Sequence, residues 1–493
     1  MRTAASFIAH HDAFVYDNLS QQPASTECKR LYMIQSTAQL RYRDLLRKMV
    51  MLAVPTLMEQ ILSTLLQYVD TAMVGHLGER ATASVSVTTS IGWLVGSIAY
   101  AVGTAVLALI SRAYGADDRQ RGHKIANQAL LLTLVCGIIL GVISIVLSPF
   151  IPIWMGVEKA IRRQASVYFT IISIPMIFRV STAILGSAVR ATQNTKTPMI
   201  ITLFSNLLNI VLNYLLIYPA GLGVTGAAIA SAISFTVGGT LMFALFIRTD
   251  FLDPADADIK NEQRSSLDLS LQPDKTILKE IGRIGIPVMG TAIVSCMGYV
   301  VFAGLVSGMG TTIFAAHAIA VTAEEIFYIP GYGLRTATSA LVGAALGEKN
   351  ERKLLIYCRL SVALTVGMMF LSGLILFFVA KPLMGVFTSS QSVIELGSRM
   401  LRLVAFSEPF FGLMVVMQGI MNGMGKTRYP FFVEAFSMWG VRILLTSLTI
   451  HVWHLSLQEV WYCMIADNVC KALLLYVPFA WKQRMVRIMK RKP

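Results

Sequence analysis

Twelve runs of mostly apolar residues, separated by short polar segments, divide this chain of 493 residues. They lie near 49–75, 82–110, 124–147, 165–189, 198–218, 222–247, 281–306, 314–345, 354–379, 394–421, 430–453 and 457–481. A helix needs roughly 20 apolar residues to cross a bilayer, so each run is long enough to span one. The pattern predicts an all-α polytopic membrane protein with twelve transmembrane helices. Three segments stand apart from it: a polar leader over 1–45, expected to be cytoplasmic and disordered, a polar stretch over 248–280, and a basic tail over 482–493.

The runs fall into two equivalent sets. Residues 100–115 (YAVGTAVLALISRAYG) return 232 positions later as 332–347 (YGLRTATSALVGAALG), with seven of sixteen positions identical. The same offset pairs Pro55 with Pro287, Gly78 with Gly310, Thr195 with Thr427 and Pro198 with Pro430. Six spans separate equivalent positions, so both halves cross in the same sense. The expected architecture is an N-lobe over 46–247 and a C-lobe over 281–481, related by a pseudo-two-fold axis along the membrane normal. The 248–280 stretch is then a cytoplasmic linker between them.

Composition agrees: 55% of residues are hydrophobic, only 14% are charged, and mean hydropathy is +0.63. The net charge of +15 could suggest a nucleic-acid partner, but its distribution excludes that reading. With a cytoplasmic N-terminus, the inside segments hold 30 of the 42 Lys and Arg and the outside segments seven. This bias places both termini in the cytoplasm and the chain in the plasma (inner) membrane. The six cysteines lack metal or disulfide spacing. No nucleophile or metal constellation points to an enzyme, and no cofactor is implied. The run GIMNGMGKT (419–427) imitates a phosphate loop but has Ile420 where glycine is required.

Ionisable residues within apolar helices cost about 2.5–3.5 kcal/mol each, so each needs a partner or a task. In the first span, Glu59 and Asp70 are eleven residues apart and share a face with Gln67 close by. No Lys or Arg lies within helical reach of Asp70. Such a carboxylate can exchange a proton or ligate Na⁺ as two lobes rock. Pro55 in the same span invites a kink, hence a hinge. The second half carries Phe302 opposite Asp70 in the repeat, and acids at Glu324, Glu325, Glu408, Glu434 and Asp467. Arg335, Arg442 and Lys471 are available to neutralise some of these. Arg179, without an evident partner, joins Gln67, Glu324, Glu325 and Glu408 as a candidate for lining a substrate cavity.

These residues resemble the multidrug and toxic compound extrusion (MATE) family over about 45–481. The resemblance is carried by PTLMEQILSTLLQYVDTAMVGHLG (55–78), AAHAIA (315–320), the glycine-ended second and eighth spans, and MWGVRI (438–443). It implies a twelve-helix, two-lobed antiporter that exports cationic or amphipathic compounds in exchange for H⁺ or Na⁺, working as a monomer in the bilayer. It also implies that Asp70 is the ion-coupling carboxylate and Pro55 the bend. Two departures matter. Ser295 stands where NorM-like members place a glutamate, and Asn209 and Asn213 stand where DinF-like members place an Asn and an Asp. The chain is therefore closer to the DinF-like branch, with Glu59, Asn209 and Asn213 grouped with Asp70 for ion coupling. A lipid-linked oligosaccharide flippase of related architecture is the alternative, disfavoured by the few basic residues within the spans.

Overall fold

The computed structural model describes residues 26–248 and 271–489, and every regular element among them is helical. The first half comprises α1 (Thr26–Gly75), α2 (Glu79–Gly115), α3 (Arg119–Leu147), the single turn α4 (Ile151–Trp154), α5 (Lys159–Ser173), α6 (Met176–Ala191), α7 (Lys196–Ile217) and α8 (Gly223–Arg248). The second comprises α9 (Lys275–Ser307), α10 (Thr311–Gly347), α11 (Glu351–Phe387), α12 (Gln391–Ala405), α13 (Glu408–Gly423), α14 (Arg428–Phe436), a π-helical turn (Ser437–Ile443), α15 (Leu444–His451) and α16 (Leu457–Met489). Ten apolar helical segments are long enough to cross a membrane, and two further spans are bent helix pairs, α5/α6 at 52° and α12/α13 at 56°. The twelve spans form two six-helix lobes.

The boundaries differ from the sequence expectation at two places. Residues 26–45 are helical, because no proline precedes Pro55 in α1 and nothing in TECKRLYMIQSTAQL stops the helix from extending backward. The remaining leader residues, most of the linker (249–270) and the last four residues lie outside the described part. At the linker's far end α9 starts at Lys275, where the Asp274 carboxylate accepts from the backbone N–H of Thr276 at 2.8 Å.

The duplication reaches the backbone itself. Gly78 and Gly310, 232 positions apart, open α2 and α10 with φ of 104° and 121°, a region that a Cβ would disfavour. Asp117 and Lys349 both turn through φ of 54°, and the next residue caps a helix in each case. Asp118 accepts from Arg121 N–H at 3.0 Å, and Asn350 accepts from Lys353 N–H at 3.0 Å. The two bent pairs also break at equivalent positions, around Pro175 and Ser407.

The lobes meet at the end where α9 begins and where α2 and α10 finish. Backbone approaches there are reciprocal about the pseudo-two-fold: the Ala344 peptide lies on Gly115, and the Arg112 and Ala116 backbone lies on Gly347. Ser111 packs on Gly343 in the same crossing. Higher up, the Thr56 hydroxyl bonds the Gly333 carbonyl at 2.9 Å, while Gly285 packs on Ala101, the repeat equivalent of Gly333. Small residues let the helices close to backbone contact, which is how membrane helices associate without a hydrophobic drive. Arg112 Nη2 then donates to Met424 O at 3.0 Å, and Arg121 pairs with Glu280 at 2.9 Å.

Candidate functional site

Asp70 sits on α1 and its partners come from two other helices of the same lobe. Asn213, fully buried on α7, donates its side-chain amide to the Asp70 carboxylate. The same amide reaches Asn209 Oδ1 at 3.1 Å, one turn earlier on α7. Asn209 Nδ2 contacts Ser231 Oγ on α8 at 3.2 Å, and Ser231 lies near Tyr168 on α5. The chain Asp70–Asn213–Asn209–Ser231 thus ties three helices together with a single carboxylate at its end. Asp70 makes no ion pair among the described residues. Asn213 Oδ1 is buried and has no hydrogen-bond partner among the described residues, so a free carbonyl oxygen stands beside the acid.

Glu59 is placed otherwise than sequence spacing suggested. Its Oε1 accepts from Arg190 Nη2 at 2.5 Å and from Thr202 Oγ1 at 3.1 Å, with both charged side chains 14% exposed. Sharing a helix face with Asp70 therefore does not make it a second unpaired acid, because α6 and α7 bring a cation and a hydroxyl to it. Removing its charge by Glu59→Gln leaves Arg190 without an anion in a mostly desolvated place. The expected cost is about 1–3 kcal/mol, read as a lower unfolding temperature in detergent, with ion-driven transport retained. An unchanged unfolding temperature would refute the pairing's structural role.

The remaining candidates do not converge on one point. The Gln67 side chain is exposed on α1. Arg179 on α6 lies over the Phe235 ring at 5.3 Å and reaches Gly92 O at 3.4 Å. Glu325 is exposed on α10, whereas its neighbour Glu324 is buried and accepts from the Tyr328 hydroxyl. Glu408 is 1% exposed and neither carboxyl oxygen has a hydrogen-bond partner among the described residues. α1 runs through Pro55 as one continuous helix from Thr26 to Gly75, with the Thr56 hydroxyl 2.8 Å from Ala53 O.

Two pairings in the C-lobe follow the expectation of neutralised acids, and one basic residue departs from it. Arg442 Nε meets Asp467 Oδ2 at 2.8 Å, and Lys471 Nζ meets Asp467 at 3.0 Å and Glu434 at 2.8 Å. Ser295 Oγ donates to Glu434 Oε1 at 2.6 Å, so a carboxylate from α14 reaches the α9 position where the resemblance expects one. Arg335 pairs with no acid among the described residues. Thr202, Ser231 and Tyr168 were not singled out from the sequence; a hydroxyl in an apolar helix carries no signal until its neighbours are known.

A two-lobed bundle of twelve spans, with the unpaired carboxylate of Asp70 inside one lobe and backbone-to-backbone contact between the lobes at one end, has the architecture of a membrane transporter. The MatE family model matches the chain twice, over residues 55–215 and 287–448, and the chain belongs to that family of multidrug efflux transporters. The two matches begin 232 positions apart, the offset of the internal repeat. The chain is 28% identical over 452 residues to the probable multidrug resistance protein NorM of Thermotoga maritima, covering 90% of this chain and 94% of that one. It is 25% identical over 448 residues to the probable multidrug resistance protein YoeA of Bacillus subtilis, covering 89% and 95%. Among solved structures, a MOP-superfamily transporter from Pyrococcus furiosus superposes with a TM-score of 0.82 at 21% identity, covering 91% and 97%. A variant of the Vibrio cholerae MATE transporter VcmN gives 0.81 at 20%, covering 90% and 98%.

Proposed function

We propose that this protein is a secondary active antiporter that exports organic cations or amphipathic compounds in exchange for H⁺ or Na⁺, with Asp70 as the ion-carrying carboxylate. It works as a monomer in the plasma (inner) membrane, with both termini cytoplasmic. The observation that carries this reading is that Asp70 meets no basic side chain among the described residues, with Asn213 bonded to it. A carboxylate without a fixed counter-charge in a membrane helix is stable when an exchangeable cation takes that place. A proton does so directly. Na⁺ does so through hard oxygen donors, and the free carbonyl oxygen of Asn213 beside the carboxylate is one. Asn209 and Asn213 position the acid and cannot themselves carry a proton.

On this reading the shut end, where Gly115 and Gly347 meet the opposite backbone, faces the cytoplasm. Ion uptake at Asp70 is then tied to the rocking that opens this end. Pro55, one residue before the Thr56 contact to Gly333, stands where α1 must move against the other lobe.

The test is dye efflux from everted vesicles driven by an H⁺ gradient or a Na⁺ gradient, comparing wild type with Asp70→Asn. Wild type should respond to one gradient. The variant should fall to the level of empty vesicles while still binding the dye. Equal gradient-driven efflux from both proteins would take Asp70 out of the mechanism.

A further inference from the structure

Arg335 is a membrane-embedded cation that the transport mechanism above leaves unused. It lies on α10 twelve residues before Gly347, so roughly 18 Å inward from the end of that helix. Its guanidinium is held between two rings from opposite lobes, 4.9 Å from the Tyr332 centroid on α10 and 5.2 Å from the Tyr100 centroid on α2. The side-chain stem has its own seat, because Gly419 on α13 packs on it so closely that an added Cβ would stand 3.0 Å from Arg335 Cγ. Three helices from both lobes therefore fix where this cation points.

What it lacks is an acceptor. Arg335 makes no hydrogen bond and no ion pair with the described residues, and its Nε is buried without a partner. Two buried cations within the C-lobe spans are treated differently: Arg442 and Lys471 each meet carboxylates within 3.0 Å. The repeat equivalent of Arg335 is Gly103, where an added Cβ would stand 2.8 Å from Ser187 Oγ, so the first half has no room for such a side chain. An arginine has five donors in a planar fork that matches a carboxylate, and leaving them unmet in a low-dielectric site is costly. The two tyrosine rings offer cation–π contact, which supplies no hydrogen-bond acceptor to the guanidinium N–H groups.

The geometry points to an anion seat at the junction of the lobes, in which Arg335 takes the carboxylate of an aromatic, amphoteric cargo between Tyr100 and Tyr332. This deepens the export reading and rests on it: Arg335 is the side chain that makes this transporter prefer a cargo carrying an acid over the same cargo without it. The rings supply stacking surface for the aromatic body and the guanidinium supplies the paired donors for the acid. Because Tyr100 belongs to one lobe and Arg335 to the other, the seat is complete only while these two helices stay together.

A matched pair of dyes isolates the anion. One is a rhodamine with a free carboxylate; the other is its methyl ester, with the same ring system and amine charge but no acid. Fluorescence-polarisation binding is measured without any ion gradient on the full-length protein in detergent or nanodiscs. Wild type should hold the acid dye more tightly than the ester, on the order of tenfold. Arg335→Gln should erase that preference by weakening the acid dye alone, and its retained ester binding shows that the variant is folded. Where the glutamine variant does not fold, Arg335→Lys keeps the charge without the fork. It should weaken the acid dye several-fold and leave the ester unchanged; undiminished acid-dye binding there overturns the proposal. Equal affinity of wild type for both dyes, or an equal loss of both in Arg335→Gln, also overturns it and leaves the export reading standing. Binding of neither dye to wild type sinks both.

Discussion

Asp467→Ala should destabilise the protein by about 3–5 kcal/mol, the cost of stripping one partner from a buried charge cluster. The cluster holds two bases and two acids. Arg442 and Lys471 both bond Asp467, Lys471 also bonds Glu434, and the four side chains are between 0% and 6% exposed. Ser437 adds a 2.6 Å bond to Asp467 Oδ1 from within the π-helical turn, and Arg442 packs over the rings of Tyr299 and Phe302. With Asp467 gone, one glutamate faces two cations in a place with little water, and the excess positive charge has no solvent to relax into. Thermal unfolding in detergent should show a large drop for Asp467→Ala. Adding Arg442→Met should recover part of it, since removing both members of a buried pair restores neutrality. A single variant that melts like wild type, or a double variant no better than the single, would refute this account of the cluster.

The spans were legible because bilayer thickness imposes one length on every apolar run, and the repeat was legible because equivalent turns keep equivalent residues. The breaks inside the fourth and tenth spans were not. Pro175 and Ser407 interrupt helices whose flanks remain apolar, so the runs read as continuous. Within the site, Asp70 could be found from one helix alone, since its distinguishing property is the absence of a nearby base. Glu59 looked similar, but its partner Arg190 is 131 residues away and meets it only when α6 packs against α1. The same limit hid Ser295, whose partner Glu434 lies 139 residues on. A local pattern can register an isolated charge, whereas a paired one is recognisable only after helices that are distant in sequence have been brought together. Arg335 shows the converse. Spacing offered it acids to pair with, and packing gave it two tyrosine faces instead.

Gly115→Leu should hold the shut end of the molecule open. Gly115 and Gly347 are repeat equivalents at the ends of α2 and α10, and each lies directly on the backbone of the opposite helix, the Ala344 peptide in one case and the Arg112 carbonyl in the other. Backbone atoms cannot rotate away as a side chain does, so a leucine at 115 is accommodated only by separating the helices. Overpacking of this kind costs about 1–3 kcal/mol where the contact exists and nothing where the lobes have parted. Such a difference acts on the balance between two states that themselves differ by a few kcal/mol, and shifts it by roughly 5–150-fold. Spin labels at Gln120 and Arg352, exposed residues just beyond the two crossing helices, report the separation by pulsed electron resonance. The variant should lengthen that distance and slow dye efflux under the gradient that drives wild type. It should leave the fold of each lobe intact, because the clash lies between lobes and not inside one. A distance distribution identical to that of wild type would mean that the end of α2 yields locally, and that the glycine crossing does not set which side of the transporter is closed.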